Sequence, residues 1–157
     1  MAGATALAMV GLTNMAGAYL WGLMGGLLRK KYLLAVLYLI RALIIAAFVM
    51  VPVSETSAVV FGAAIGLLWF GTVPLTSGLV AQMFGVRYMS TLFGIVFFSH
   101  QLGSFLGAWL GGLSFDLFGS YDPIWLTAIA LSIVAALLHW PIADAPVPRL
   151  RTVLAAS

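Results

Sequence analysis

Cysteine is absent from the chain, which rules out disulfides, thiolate nucleophiles and cysteine metal ligands. Charge is almost as scarce. Four acidic and seven basic residues account for 7% of 157 positions, against about a quarter in a soluble domain. The two histidines, His100 and His139, fall on different apolar runs at different depths. No metal-ligand spacing and no Ser/His/Asp set can be built from them. The carboxylates Glu55, Asp116, Asp122 and Asp144 sit at run ends or in breaks, too scattered for paired-carboxylate chemistry. No phosphate-binding Gly-Lys loop occurs. An enzyme is therefore not expected, and no cofactor is implied. A cleavable signal peptide is not expected either: Met1-Ala2-Gly3 lacks a basic region, and the first apolar run is too long.

Apolar side chains are abundant. The chain is 64% hydrophobic, with a mean hydropathy of +1.16. Too few polar residues remain to cover a water-soluble core, so lipid must be the outer solvent. A spanning helix needs about 20 apolar residues, and five runs meet that length: 4–28, 32–52, 58–84, 91–115 and 124–141. They are too long and too uniform for barrel strands. The expected fold is an all-α, polytopic five-helix bundle over residues 1–145, with a polar, proline-containing cytoplasmic tail over 146–157.

The cations give the bundle an orientation. Six of the seven lie in three places, Arg29-Lys30-Lys31, Arg87 and Arg149/Arg151, separated by pairs of runs. The other breaks, 54–57 and 116–122, hold no cation. A chain weaving through a bilayer thus puts all six on one side. The positive-inside rule makes that side the cytoplasm, with the N-terminus outside and the C-terminus inside. Tyr32, Tyr88 and Trp140 then fall at the inner interface and Tyr121 and Trp125 at the outer one, depths that aromatic rings favour. His139, beside Trp140, reads as interfacial. The net charge of +3 belongs to these clusters, so nucleic-acid binding is not inferred from it.

Within the spans, polar groups gather at one depth. At 1.5 Å per residue, Asn14 lies about 15 Å from the outer end of run one, and Arg41 about 14 Å from the inner end of run two. His100 and Gln101 lie about as deep on run four. Trp69 and Thr72 are near the middle of run three. Burying Arg41 costs about 2.5–3.5 kcal/mol on insertion scales, and it cannot shed its proton. No carboxylate shares its depth. Two readings stand. Arg41 is either a structural group, held by Tyr38 one turn away and by carbonyls of kinked helices, or a cavity cation that pairs with an anionic substrate or a partner's acid. His100 and Gln101 are likewise either an interhelical hydrogen-bond clamp or part of a proton-coupled site.

Pro74 interrupts run three and leaves the Phe70 carbonyl without its usual donor. Thr72, Thr76 and Ser77 are near enough to soften that loss. The result is a static kink or a gating bend. Gly62 and Gly66 on run three, and Gly103, Gly107 and Gly111 on run four, mark smooth faces for close helix approach.

Leu92-Phe93-Gly94, His100-Gln101-Leu102-Gly103 and Asp116-x-x-Gly119-Ser120-Tyr121-Asp122 resemble the penultimate helix and following external turn of the major facilitator superfamily. The likeness is to its bacterial monocarboxylate-transporter-like members. Tyr38-Leu39-Ile40-Arg41-Ala42 resembles part of their ninth helix. The family has twelve helices in two halves with the substrate site between them, so the resemblance implies helices eight to twelve. It also implies that the first half and the seventh helix are supplied elsewhere. The loop Gly25 to Lys31 is basic like the family's loop between helices eight and nine, but lacks the Asp often found there. By this resemblance Asn14, Trp69, Thr72, His100 and Gln101 face the pore, and Arg41 is more peripheral. The implied activity is transport of a small organic anion, monocarboxylate-like, by alternating access, with protons as candidate co-substrate. The implied partners are the bilayer and a missing N-terminal half or another membrane subunit. The alternative is a non-transporting scaffold that binds membrane partners through its glycine faces.

Overall fold

A computed structural model describes residues 2–148. The expected tail positions 149–157, Arg149 and Arg151 among them, lie outside the described residues. The chain forms α1 (Ala2–Leu27), α2 (Lys30–Met50), α3 (Glu55–Trp69), α4 (Thr72–Phe84), α5 (Val86–Phe118) and α6 (Asp122–His139). No strand occurs among the described residues. Five segments are long and apolar enough to cross a membrane, α3 and α4 together making one of them. The protein is an all-α integral membrane bundle.

Local chemistry sets the ends. Ser54 accepts from the Ser57 N–H, and the Ser57 hydroxyl accepts from the Ser54 N–H, a reciprocal cap that starts α3. Pro123 stands in the first turn of α6, where its missing N–H costs nothing. Gly119, at φ +65°, ends α5 in the left-handed conformation that glycine adopts without strain. Gly85, at φ 81°, turns α4 directly into α5. Helix α5 has 33 residues, about 50 Å of helix, and so extends beyond the expected 91–115 at both ends.

The sequence predicts one span over 58–84, interrupted at Pro74; the structure divides it upstream of that proline, at Phe70–Gly71. Pro74 cannot donate to the Phe70 carbonyl, and the Val73 N–H does so instead at 3.1 Å. That shorter bond tightens the chain and closes the α-helical ladder.

Helix α1 lies along α3, and α2 along α6. The α1–α3 contact is backbone against backbone. A Cβ on Gly17 would sit 2.1 Å from the Leu67 carbonyl oxygen, and one on Gly66 would sit 2.5 Å from that of Val10. Gly62 meets Ala6 in the same way. In lipid, where apolar burial gives helices no reason to pair, such close approach supplies the dispersion contact. The core gathers Trp21, Leu33, Leu34, Leu37, Leu68, Leu75 and Leu79. Helix α5 is peripheral: it touches α4 and, less extensively, α6, and Ser114 is its one buried residue. The expected packing at Gly103, Gly107 and Gly111 is not made within this chain, since an added Cβ there meets nothing within 4 Å. The reason is that α5 leans on its neighbours only toward its ends.

The weave gathers the described basic clusters at one end. Arg29 and Lys31 contact the segment after α6, and Val147 bonds to Met83 at the end of α4, two residues before Gly85 and four before Arg87. Tyr32 and Trp140 pack there, 5.2 Å apart. The opposite end holds the Ser54–Ser57 cap and a cluster in which Phe48 stacks on Phe61 at 4.1 Å. Trp125 stands edge-on to both rings of that cluster.

Candidate functional site

Breaking a helix inside a membrane leaves polar backbone groups that lipid cannot satisfy. Between α3 and α4 this need is met mostly by side chains from other helices. The Phe70 N–H donates to Asn14 Oδ1 at 3.0 Å. Trp21 Nε1 donates to the Leu67 carbonyl at 3.1 Å, and Arg41 Nη2 to the Leu68 carbonyl at 3.3 Å. The Thr72 hydroxyl donates to the Trp69 carbonyl at 3.3 Å. Four consecutive residues thus receive a partner from α1, α2 or the first residue of α4. The Trp21 ring also fills the space beside Gly71, where a Cβ would come within 2.5 Å of it.

Arg41 has a definite seat. Its guanidinium carbon lies 5.2 Å from the Tyr38 ring centroid and 6.0 Å from that of Trp69, distances at which an aromatic face attracts a cation. Its Nε is buried without a hydrogen-bond partner. The charge is therefore balanced by one carbonyl and two rings, with no carboxylate.

Next to the break, between α2, α4 and α5, lies a pocket of about 320 Å³ lined by Tyr38, Thr72, Val73, Thr76, Phe93, Val96, Phe97, Ser99 and His100. Its polar groups are hydroxyls and one imidazole; its apolar side is the pair of α5 phenylalanines, one of which lies 5.9 Å from the His100 ring. The N-terminal end of α4 opens on it through Thr72 and Val73. Ser99 and Ser104 bond back to carbonyls of α5, those of Ile95 and His100.

The six residues singled out in the sequence therefore separate. Asn14, Arg41, Trp69 and Thr72 meet at the break. Thr72 continues into the pocket, where it is joined by His100. Gln101 is exposed and is not among the pocket-lining residues. Trp21 was missed, since a tryptophan near the basic end of run one reads as an interface anchor. Thr76, Ser99 and the pocket role of Tyr38 were also missed. Their signal was the same mid-span depth that drew attention to His100. His139 packs against Tyr38, 5.3 Å between rings, with Nδ1 2.6 Å from the Ala135 carbonyl.

Comparison with known proteins adds one finding. Over 123 residues the chain is 30% identical to the uncharacterized MFS-type transporter YcxA of Bacillus subtilis (strain 168). The match covers 75% of this chain but spans only 29% of that relative. No protein-family model matches, and no solved structure does. The likeness is to a membrane transporter of the MFS type. A broken span with a partly polar pocket beside the break is an arrangement that secondary transporters use.

Proposed function

We infer that this chain forms part of a secondary active transporter of the MFS type, and that the pocket beside the α3–α4 break receives a small organic anion, monocarboxylate-like. The observation carrying this reading is the convergence of Tyr38, Thr72, Thr76, Ser99 and His100 on one mid-span pocket. The Tyr38 and Thr76 hydroxyls suit donation to a carboxylate, those of Thr72 and Ser99 being engaged with backbone carbonyls. A helix N-terminus adds a favourable dipole. His100 brings an imidazole, which offers one donor and one acceptor when neutral and is the side-chain type most used to pass protons. Arg41 acts from behind, by holding Tyr38, while Asn14 and Trp69 steady the break. Gln101 faces away from this pocket and is assigned to the opposing wall of the cavity, which the rest of a longer transporter or another subunit supplies. The two parts would rock about the site to alternate access. The basic end of the bundle is placed in the cytoplasm of a bacterial plasma membrane, with the N-terminus outside.

Uptake of a radiolabelled monocarboxylate, in vesicles holding this chain within a full-length transporter context, tests the reading. Thr76→Val and His100→Ala should each cut saturable uptake by about ten-fold or more, the cost of losing a hydrogen bond to a charged group. Unchanged uptake in both variants overturns the assignment of the pocket. Vesicles containing this chain alone should show no saturable uptake.

A second reading, a non-transporting scaffold, draws on the open glycine stripe of α5. It requires Gly103→Leu with Gly107→Leu to abolish partner capture while His100→Ala leaves it intact. The transporter reading requires the reverse ranking in uptake.

A further inference from the structure

The segment that follows α6 does not leave the bundle directly. It folds under the basic end and is bonded to the α1–α2 junction and to the end of α4. Arg29 grips the Asp144 carboxylate with two nitrogens, Nε to Oδ2 at 3.0 Å and Nη2 to Oδ1. Lys31 Nζ lies 4.0 Å from the same carboxylate and donates to the Ile142 carbonyl at 2.7 Å. Gln82 of α4 donates to the Asp144 carbonyl at 2.8 Å, and its own side-chain oxygen accepts from Lys30 at 3.2 Å. The Val147 N–H donates to the Met83 carbonyl at 3.0 Å. Ile142 packs on the leucine core from below. The side chains of Asp144 and Lys31 are only 8% and 10% exposed, unusual for charged groups unless paired.

We propose that residues 142–147 form a strap, locked by Asp144, that ties the α1–α2 junction, the end of α4 and the end of α6 into one closed unit at the basic end of the bundle, and that releasing Asp144 opens this end while the core stays folded. The lock is specific in its chemistry. A bidentate guanidinium–carboxylate pair is both strong and directional, and Lys31 supplies a second, less exposed cation. Other bonds run to the strap's own backbone, from Lys31 to the Ile142 carbonyl, from Gln82 to the Asp144 carbonyl and from the Val147 N–H to Met83, and Ile142 adds apolar contact. Asp144 is the side chain through which two cations hold the segment.

The cysteine-free sequence makes the test clean, because one introduced thiol is the sole target of a maleimide. Ile142→Cys reports on the strap and Leu75→Cys, in the fully buried core, on the fold. In the full chain in detergent, adding Asp144→Asn should speed labelling of Ile142→Cys by about ten-fold, since losing one partner strands a buried cation. Arg29→Gln should have a smaller effect, because Lys31 remains. Leu75→Cys should stay as slow as before. Unchanged labelling of Ile142→Cys overturns the lock. Equal acceleration at Leu75→Cys overturns the strap as a separable unit.

Discussion

Arg41 illustrates how much a single residue's surroundings decide. Its depth alone left a cavity cation and a structural group equally open. In the fold its guanidinium is committed to the Leu68 carbonyl and to the rings of Tyr38 and Trp69. Arg41→Ala should therefore lower stability by about 1–3 kcal/mol, the cost of a buried acceptor left bare, read as an earlier unfolding transition in detergent. Asn14→Leu should do the same by about the same amount, since it orphans the Phe70 N–H. Asp144 permits a pH prediction. The hydrogen bonds from Arg29 hold its carboxyl below the usual carboxylate range, opposed by burial and helped by the charges of Arg29 and Lys31. A depressed folded-state value means the contribution is complete above the ordinary carboxylate pKa and fades as pH falls through the lowered one. The groups facing it are the cations Arg29 and Lys31 from the α1–α2 junction and neutral Gln82 from α4. Labelling of Ile142→Cys, taken as a ratio to that of an exposed Val53→Cys reference so that the changing thiolate fraction cancels, should thus be flat from neutral pH down to the ordinary carboxylate range and rise only below it.

Among the elements, α1–α3 and α5 are opposites built from the same residue type. Both carry glycines at four-residue spacing, but Gly62 and Gly66 are pressed against α1 while Gly103, Gly107 and Gly111 meet open space. Gly66→Ala should cost about 1–3 kcal/mol through overpacking against backbone that cannot move aside. Gly103→Ala should stay within about 0.5 kcal/mol of the parent, as surface changes do. Comparing the two unfolding midpoints checks both. Spacing alone could not separate these stripes, because a smooth face says that close approach is possible and nothing about what approaches. The division of span three has a similar history. Pro74 announced a disturbance, but the chain breaks just upstream at Phe70–Gly71, where Asn14, Trp21 and Arg41 offer replacement partners.

For the whole molecule, the weave of five spans puts the described basic clusters at one end and the Ser54–Ser57 cap at the other. If the basic end is cytoplasmic, a thiol introduced at Lys30 should react only with reagent supplied from inside, and one at Glu55 only from outside. Reaction of both from the same side would overturn the orientation. The pocket among α2, α4 and α5 has one side formed by a helix that the bundle barely covers, so these spans alone do not enclose it.

Hydropathy and cation placement were sufficient to determine that the chain is an all-α membrane bundle with five crossings, because the lack of water in the bilayer core leaves each span little choice but a helix. The mid-depth polar slab was legible for the same reason: a polar group there is costly and stands out against its background. Which of those groups meet was decided only by tertiary structure. Asn14, Trp21 and Arg41 lie 56, 46 and 27 positions from the backbone groups they bond, and their shared task exists only because α1 and α2 pack beside a broken helix with backbone groups to satisfy. The burial of Asp144 beneath Arg29 and Lys31 is of the same kind, a contact across more than a hundred residues that no local pattern records.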